Sequence, residues 1–195
     1  MKKEELIFFA YLAVILIFCI SMLSVPFIAF SDEETGQNLY QLFSPLCHQK
    51  LSRSFCVFHD GLGYYTGDCT SQHGIYIPND RESISSEQNG NIGYKFPVCS
   101  RDVGLYLAML FGAVAYPFIR RIGERKIPPA IYLIIAIMPL ALDGSIQFIS
   151  DLGFLPFVYE STNAIRFVTG AIAGFAASIY LIPLLVNLFT EPKTQ

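Results

Sequence analysis

The fold is decided by Leu6–Phe30, LIFFAYLAVILIFCISMLSVPFIAF, an apolar run that no charged residue interrupts. The hydrocarbon core of a bilayer is about 30 Å thick, and a helix needs about 20 apolar residues to cross it. Backbone polar groups in lipid must be paired within the segment, so the run is predicted to be a helix. A cleaved signal peptide is the alternative, but its apolar region is only about 7–15 residues long. We therefore expect a retained membrane-spanning helix.

Three further apolar segments lie in the second half of the chain, at residues 103–119, 127–148 and 163–189. Together with residues 6–30 they predict an all-α integral membrane protein, built as a bundle of four transmembrane helices. Residues 31–101 form a long hydrophilic insert that contains four of the five cysteines. Because this insert has too few apolar residues for a core of its own, residues 1–195 are expected to form a single membrane domain.

Basic residues predict how the bundle is oriented. Lys2 and Lys3 precede the first span, residues 120–126 read RRIGERK between the second and third spans, and Lys193 follows the last span. Short loops rich in Lys and Arg stay in the cytoplasm. We therefore expect a multi-pass protein of the cell membrane with both termini cytoplasmic and the insert outside. Membrane lipids are the expected partners, and nucleic acid is not.

Two of the cysteines in the insert are predicted to form a disulfide. External cysteines in an oxidising compartment are typically paired, and four of them allow three pairings. Cys56 and Cys69 both lie in a stretch rich in glycine, where a bond between them would close a short loop. We therefore prefer the Cys56–Cys69 pair.

The other two external cysteines have neighbours that are metal ligands. Cys47 is followed directly by His48, and Cys99 lies one helical turn before Asp102, at the start of the second span. Thiolate, imidazole and carboxylate groups are the usual ligands of zinc. We therefore predict a Zn²⁺ site at these four residues. A second disulfide, Cys47–Cys99, is an equally open alternative.

Charged residues near the external ends of the spans are the candidate catalytic groups, because charge inside a membrane is costly and usually functional. Asp143 and Gln147 share one face of the third span. Glu160 and Arg166 lie at the entry to the fourth span, and Arg53 lies in the insert. Asp143 or Glu160 is predicted to be a general acid or base. The two arginines are suited to holding an anionic group such as a phosphate.

The fourth span also contains a series of small residues, GAIAG at residues 170–174. Small residues at this spacing let two helix backbones approach closely in a membrane. We expect this face to pack against another helix of the same chain, with self-association as the alternative.

The candidate residues belong to motifs that follow one another in a specific order. The motifs are CHQ (47–49) with RSF (53–55), PVCSRDVGLY (97–106), LDG (142–144) with Gln147, and ESTN (160–163) with Arg166. Their order resembles a family of small prokaryotic integral membrane proteins, described as a domain of unknown function. The resemblance implies a membrane protein and the same choice of residues, and it supplies no established activity.

The chain departs from the family pattern in two places. The family's usual Cys-x-x-Cys is Cys-x-x-Asp here, at Cys99 and Asp102. A carboxylate still binds zinc, but a disulfide between those two positions is excluded. The segment between Phe55 and Phe96 is also longer than the resemblance leads us to expect.

These observations favour a membrane-embedded metalloenzyme that hydrolyses a lipid or amphiphilic substrate at the external leaflet. Three protein ligands with an open position would activate water, whereas four would make the zinc site structural. The alternative is a non-enzymatic transporter or binding protein with a structural metal or disulfides, because buried charges also mark transport paths. The sequence leaves open whether the chain is an enzyme.

Overall fold

The computed structural model describes residues 2–47, 50–76 and 83–190, with residues 71–76 described by their backbone alone. The helices are α1 (Lys3–Ser31), α2 (Glu33–Phe43), α3 (Ser100–Ile119), α4 (Ala130–Asp151) and α5 (Asn163–Phe189). The strands are β1 (Phe55–His59), β2 (Tyr64–Asp68), β3 (Ser71–Tyr76), β4 (Ser83–Gln88) and β5 (Asn91–Lys95).

The chain divides into two compact units, which are described separately. The helical unit consists of Met1–Cys19, Gly104–Ser161 and Ile165–Gln195. The sheet unit consists of Ile20–Val103 and Thr162–Ala164.

Four helices, α1, α3, α4 and α5, are long and apolar enough to cross a membrane. Their most apolar 18-residue windows have mean hydropathies of 1.6 to 2.9, yet at most 33% of the residues in those windows are buried within the protein. A helix that is apolar on its unburied faces requires an apolar surrounding, which a bilayer provides. The prediction of four candidate membrane-spanning helices is confirmed.

Helix α4 begins and ends three residues later than the sequence predicted. Proline disfavours helical backbone in the residue before it, so Pro128 and Pro129 delay the start to Ala130. At the other end, Gly153 has a φ of 76°. The N–H groups of Gly153 and Phe154 donate to carbonyl groups of the last helical turn, at 2.9 and 3.2 Å. This left-handed glycine cap sets the end of the helix.

In the helical unit, α3 and α5 approach each other at glycines. A Cβ atom added to Gly104 would lie 2.2 Å from the carbonyl oxygen of Phe167, and one on Gly174 would lie 2.1 Å from that of Leu105. Only residues without a side chain allow backbones this close. The prediction that the small residues of the fourth span pack against another helix of the same chain is confirmed.

One end of the helical unit is basic. The guanidinium of Arg125 lies 4.0 Å from the carboxylate of Glu4, and a Cβ atom on Gly123 would lie 3.0 Å from the Glu4 side chain. The start of α1 and the turn between α3 and α4 are therefore adjacent. This places Lys2, Lys3 and the basic turn on one side, as the predicted topology requires.

The all-α prediction is wrong, because the insert contains a five-stranded antiparallel sheet in the order β2-β1-β5-β4-β3. Only Cys69 and Thr70 separate β2 from β3, which lie at the two ends of this order. In a flat sheet with strands about 4.8 Å apart, these two strands would be about 19 Å apart. Three Cα–Cα steps of about 3.8 Å cannot span that distance. The sheet therefore curls back on itself.

The insert also has a small core of its own, contrary to expectation. Leu51, Cys56, Phe58 and Cys69 are buried together, with Tyr65 packed against them. The rings of Phe58 and Tyr65 stack with centroids 5.3 Å apart. The predicted disulfide between Cys56 and Cys69 is present at the centre of this cluster. The crosslink supplements an apolar core that is small for an independent unit.

Removing this disulfide is expected to destabilise the sheet unit by about 3 kcal/mol, the value for a closed loop of this length, since the two cysteines are 13 residues apart. The test is denaturant unfolding of a C56A/C69A variant, followed by circular dichroism in detergent. A reducing agent should lower the midpoint of the wild type and leave that of the variant unchanged. Equal midpoints for both proteins without reductant would contradict the prediction.

Candidate metal centre

Three of the four predicted zinc ligands lie together in the sheet unit. The sulfur atoms of Cys47 and Cys99 and a carboxylate oxygen of Asp102 all lie within 4.8 Å of one another. Cys99 Sγ donates a hydrogen bond of 3.1 Å to Asp102 Oδ2. Both cysteines are thiols and not a disulfide in the structure. The fourth predicted ligand, His48, lies outside the described residues.

Local structure explains why these side chains meet. Cys99 directly precedes α3 and Asp102 lies in its first turn, so a spacing of three residues puts both on the same side of the helix start. The Asp102 carboxylate is also favoured there by the helix dipole. Cys47 follows the 3-10 turn Ser44–Leu46 in extended backbone, with φ −155° and ψ 145°.

The electrostatics of the cluster favour a bound cation. A hydrogen bond with Cys47, burial and the Asp102 carboxylate together raise the pKa of the Cys99 thiol far above its usual range. Without a cation, two sulfurs beside a carboxylate cannot all carry negative charge. A bound metal ion reverses this preference for the neutral thiol, because a coordinated thiol is deprotonated outright.

The dimensions of the cluster fit zinc. Zinc–sulfur bonds are about 2.3 Å long, and a tetrahedral angle then places two sulfur ligands about 3.8 Å apart. Cys99 Sγ lies 3.1 Å from Asp102 Oδ2, and all three ligand atoms lie within 4.8 Å of one another. Small side-chain rotations would bring all three atoms onto one ion, and a fourth coordination position would remain.

A buried polar network fixes the start of α3 beside the cluster. The hydroxyl of Ser100 lies 3.1 Å from the carbonyl oxygen of Arg53 and 3.0 Å from Asn163 Oδ1, both of which are acceptors. Asn163 Nδ2 donates to the carbonyl of Ser54 at 3.2 Å and to Asp68 Oδ1 at 2.9 Å. The network therefore links Ser100, the residue after Cys99, to three other segments: residues 53–54, Asp68 and Asn163. Its partners are distant in sequence, so no local pattern reveals them.

Replacing Asn163 by alanine is expected to weaken zinc binding about tenfold, the lower end of the effect of supporting hydrogen bonds around a metal site. Affinity can be measured by competition with a chromogenic chelator. The matched control is N187A, because Asn187 lies in the same helix and donates to Arg125 in the helical unit. An equal loss of affinity in both variants would mean that the network does not specifically support the cluster.

The other candidate residues, apart from Arg53, lie in the helical unit. Arg166 is only 2% exposed, and its guanidinium lies 3.8 Å from a carboxylate oxygen of Glu160. Asp143 is buried and accepts a 3.0 Å hydrogen bond from the hydroxyl of Tyr159. The backbone N–H of Tyr159 donates to Ser150 Oγ at 2.7 Å, which attaches the loop between α4 and α5 to the end of α4. Tyr159 was not predicted, although its position beside Glu160 was a signal.

The predicted catalytic residues thus fall into two sets. Asp143, Glu160 and Arg166 belong to the helical unit, whereas Arg53 belongs to the sheet unit with the metal cluster. Arg53 ends the 3-10 turn Leu51–Arg53 and is half-buried. A joint catalytic role for the two sets stays a prediction.

Comparisons with known proteins support the assignment of the chain as a membrane protein. Residues 91–180 match a family model described as "Predicted membrane protein (DUF2085)". The uncharacterized protein MJ1492 of Methanocaldococcus jannaschii is 32% identical over 194 residues, which cover 96% of each chain. No solved structure gives a significant match. The matched range of the family model contains Cys99 and Asp102, and Cys47 lies before it.

Proposed function

Because the chain belongs to the DUF2085 family of predicted membrane proteins, we propose that it is a multi-pass membrane metalloprotein. It binds one zinc ion at Cys47, Cys99 and Asp102 and hydrolyses a lipid or amphiphilic substrate. The observation that carries this proposal is the meeting of two thiols and a carboxylate within 4.8 Å, at the start of a candidate membrane-spanning helix.

The proposed orientation puts both termini in the cytoplasm and the sheet unit outside the cell. The basic residues at one end of the helical unit support it, as does the disulfide between Cys56 and Cys69, since disulfides persist in oxidising compartments. Two neighbouring cysteines in such a compartment would ordinarily oxidise. Metal binding would keep Cys47 and Cys99 reduced in such a compartment.

The three described ligands suit a catalytic site better than a closed structural one. A zinc ion with three protein ligands and one open position acts as a Lewis acid and lowers the pKa of bound water. If His48 supplies a fourth ligand, the site is structural, and the protein is then a non-enzymatic membrane protein.

An apolar surface beside the cluster supports an amphiphilic substrate. Leu42 in α2 is 71% exposed, and Leu46, which directly precedes Cys47, is 50% exposed. Leu42 lies in the last turn of α2, and Leu46 ends the 3-10 turn that follows it, so both are near Cys47 in the chain. Exposed apolar side chains at these positions would bind the acyl chain of a lipid while its polar group reaches the metal.

In this proposal the charged residues bind the substrate and transfer its protons. Asp143 is assigned as the general base or acid, with Glu160 as the alternative, and Tyr159 orients the Asp143 carboxylate. Arg53 and Arg166 are assigned to an anionic group of the substrate, because the guanidinium fork matches phosphate and carboxylate geometry.

The metal site is tested by elemental analysis of the purified protein together with alkylation of its thiols. The expected result is one zinc per chain, with Cys19, Cys47 and Cys99 all reactive after the metal is removed under denaturing conditions, since these three are thiols. Two disulfides and no bound metal would refute the metal site.

The hydrolytic step is tested with D143N against a panel of fluorescent lipid esters and phosphates. We expect a rate loss of about 10²–10⁴-fold, typical of removing a general acid or base, with an unchanged zinc content. D151N, at the exposed end of the same helix, is the control and should retain activity. Loss of zinc or of the fold in D143N would make Asp143 structural. A zinc-loaded wild type that hydrolyses no probe would favour the non-enzymatic alternative.

A further inference from the structure

The loop between β1 and β2 presents an exposed leucine. Leu62 is 98% exposed, the highest value among the large hydrophobic side chains that the structure describes. The loop sequence, DGLG at residues 60–63, contains no lysine or arginine. The corresponding turn between β4 and β5 contains Asn89 and Gly90 and presents no apolar side chain. Among the described turns, the β1–β2 tip is thus apolar where the β4–β5 turn is polar.

Hydrogen bonds within the loop fix the backbone at this leucine. Asp60 Oδ1 accepts hydrogen bonds of 2.9 Å from the backbone N–H groups of both Leu62 and Gly63. Gly61 has a φ of 85°, a conformation that favours glycine. The Asp60 carboxylate is thereby engaged by the backbone, and its pKa is lowered by these two hydrogen bonds. The projecting leucine is therefore a feature of an ordered turn.

The hairpin packs against the end of a candidate membrane-spanning helix. The ring of Tyr64, the first residue of β2, lies 5.2 Å from Phe27 and 5.4 Å from Phe30, both near the end of α1. Phe27 and Tyr64 are themselves 42% and 56% exposed. Tyr64 and Phe27 thus form an exposed aromatic surface at the end of α1, and Leu62 lies two residues before Tyr64 at the tip of the same hairpin. The bilayer expected around α1 is the surface they would meet.

We propose that the β1–β2 tip inserts into the bilayer interface, with Leu62 as the apolar anchor and Tyr64 at headgroup level. Tyrosine favours this depth, where its ring is apolar and its hydroxyl is hydrated. Because the tip carries no basic residue, its insertion depends on apolar burial and not on anionic lipid. The tip thereby anchors the sheet unit to the membrane surface.

The chain contains no tryptophan, so L62W introduces a single fluorescent reporter. The protein is reconstituted in nanodiscs of zwitterionic lipid with brominated acyl chains. The indole of L62W is expected to emit at shorter wavelength than tryptophan in water and to be quenched at least about twofold more than the reporter in T70W, because the interface excludes water. Thr70 is an exposed polar position of the same unit that follows the far end of β2. Adding anionic lipid should leave the quenching unchanged.

Tryptophan itself favours the interface, so a second measurement uses the native leucine. A lipid with a photoactivatable group in its acyl chain should label residues 60–64 of the wild type, and mass spectrometry should detect no label at residues 68–70. Emission and quenching of L62W equal to those of T70W, together with no labelling of the tip, would overturn the proposal. Quenching of L62W by addition of a second, heavy-atom-labelled copy, without lipid quenching, would instead assign the tip to an interface between copies and equally overturn it.

Discussion

Replacement of Cys99 by serine is expected to abolish stoichiometric zinc binding, with an affinity loss greater than about 100-fold, the upper end of what supporting residues alone contribute. Cys99 lies within reach of both other ligands, Cys47 and Asp102. Serine keeps the size of the side chain but replaces a thiolate by a hydroxyl, which is not among the usual zinc ligands. Elemental analysis and chelator competition measure the loss.

The matched control for C99S is C19S. Cys19 is a buried thiol of the helical unit that donates a weak hydrogen bond of 3.4 Å to the carbonyl of Tyr106, and serine can replace it as a donor. Zinc content should be unchanged in C19S. If C99S retains one zinc per chain, the three residues do not form the metal centre. If both variants lose zinc, the loss reflects the fold.

Asp102 offers an independent check of the same cluster. D102C would create the Cys-x-x-Cys that the family resemblance leads us to expect, with two thiolates at the start of α3. Because zinc accepts thiolate and carboxylate alike, D102C is expected to retain the metal under reducing conditions. D102A removes the ligand and should lose it.

The spanning helices could be predicted because a bilayer imposes strong constraints on sequence. An apolar run as long as Leu6–Phe30 has few alternatives to a helix in lipid. The ends of α4 were harder to predict, because they depend on how single residues shape the backbone, Pro129 at the start and Gly153 at the end. Element boundaries are the least certain part of any such prediction.

The sheet could not be predicted because some of its strands contain few of the residues that favour strands. β4 reads SISSEQ and β5 reads NIGYK, and glycine, asparagine, glutamate and lysine do not favour strands. Pairing with distant neighbours and the Cys56–Cys69 crosslink stabilise them.

The metal cluster was partly predictable. The Cys99 to Asp102 spacing is local and can be read from the sequence, and the structure places the predicted Cys47 beside them. The roles of Ser100, Asn163 and Tyr159 were not predictable, because each depends on a partner far along the chain or in another element. Sequence spacing predicts contacts within one helix turn, whereas these contacts require the tertiary fold.

Replacing Gly174 by alanine is expected to destabilise the helical unit by about 1–3 kcal/mol, the usual cost of overpacking a close contact. The added Cβ atom would lie 2.1 Å from the carbonyl oxygen of Leu105. That oxygen is part of a helix backbone, so it cannot rotate away as a side chain would, and α3 and α5 must separate. The sign of the change in unfolding free energy is informative, because helix propensity alone would make alanine stabilising over glycine by about 1 kcal/mol. Unfolding by denaturing detergent, followed by circular dichroism, measures the loss.

The control for G174A is G63A, the same substitution at a glycine where an added Cβ atom meets nothing within 4 Å. G63A should leave the unfolding midpoint unchanged, because it introduces no close contact. G104A, on the opposite helix of the same contact, should destabilise as G174A does, since its Cβ atom would lie 2.2 Å from the Phe167 carbonyl oxygen. If G174A instead raised stability by its helix propensity, the two backbones could not be in contact. The fourth span would then have its small residues free for self-association, the alternative that the GAIAG series itself allows.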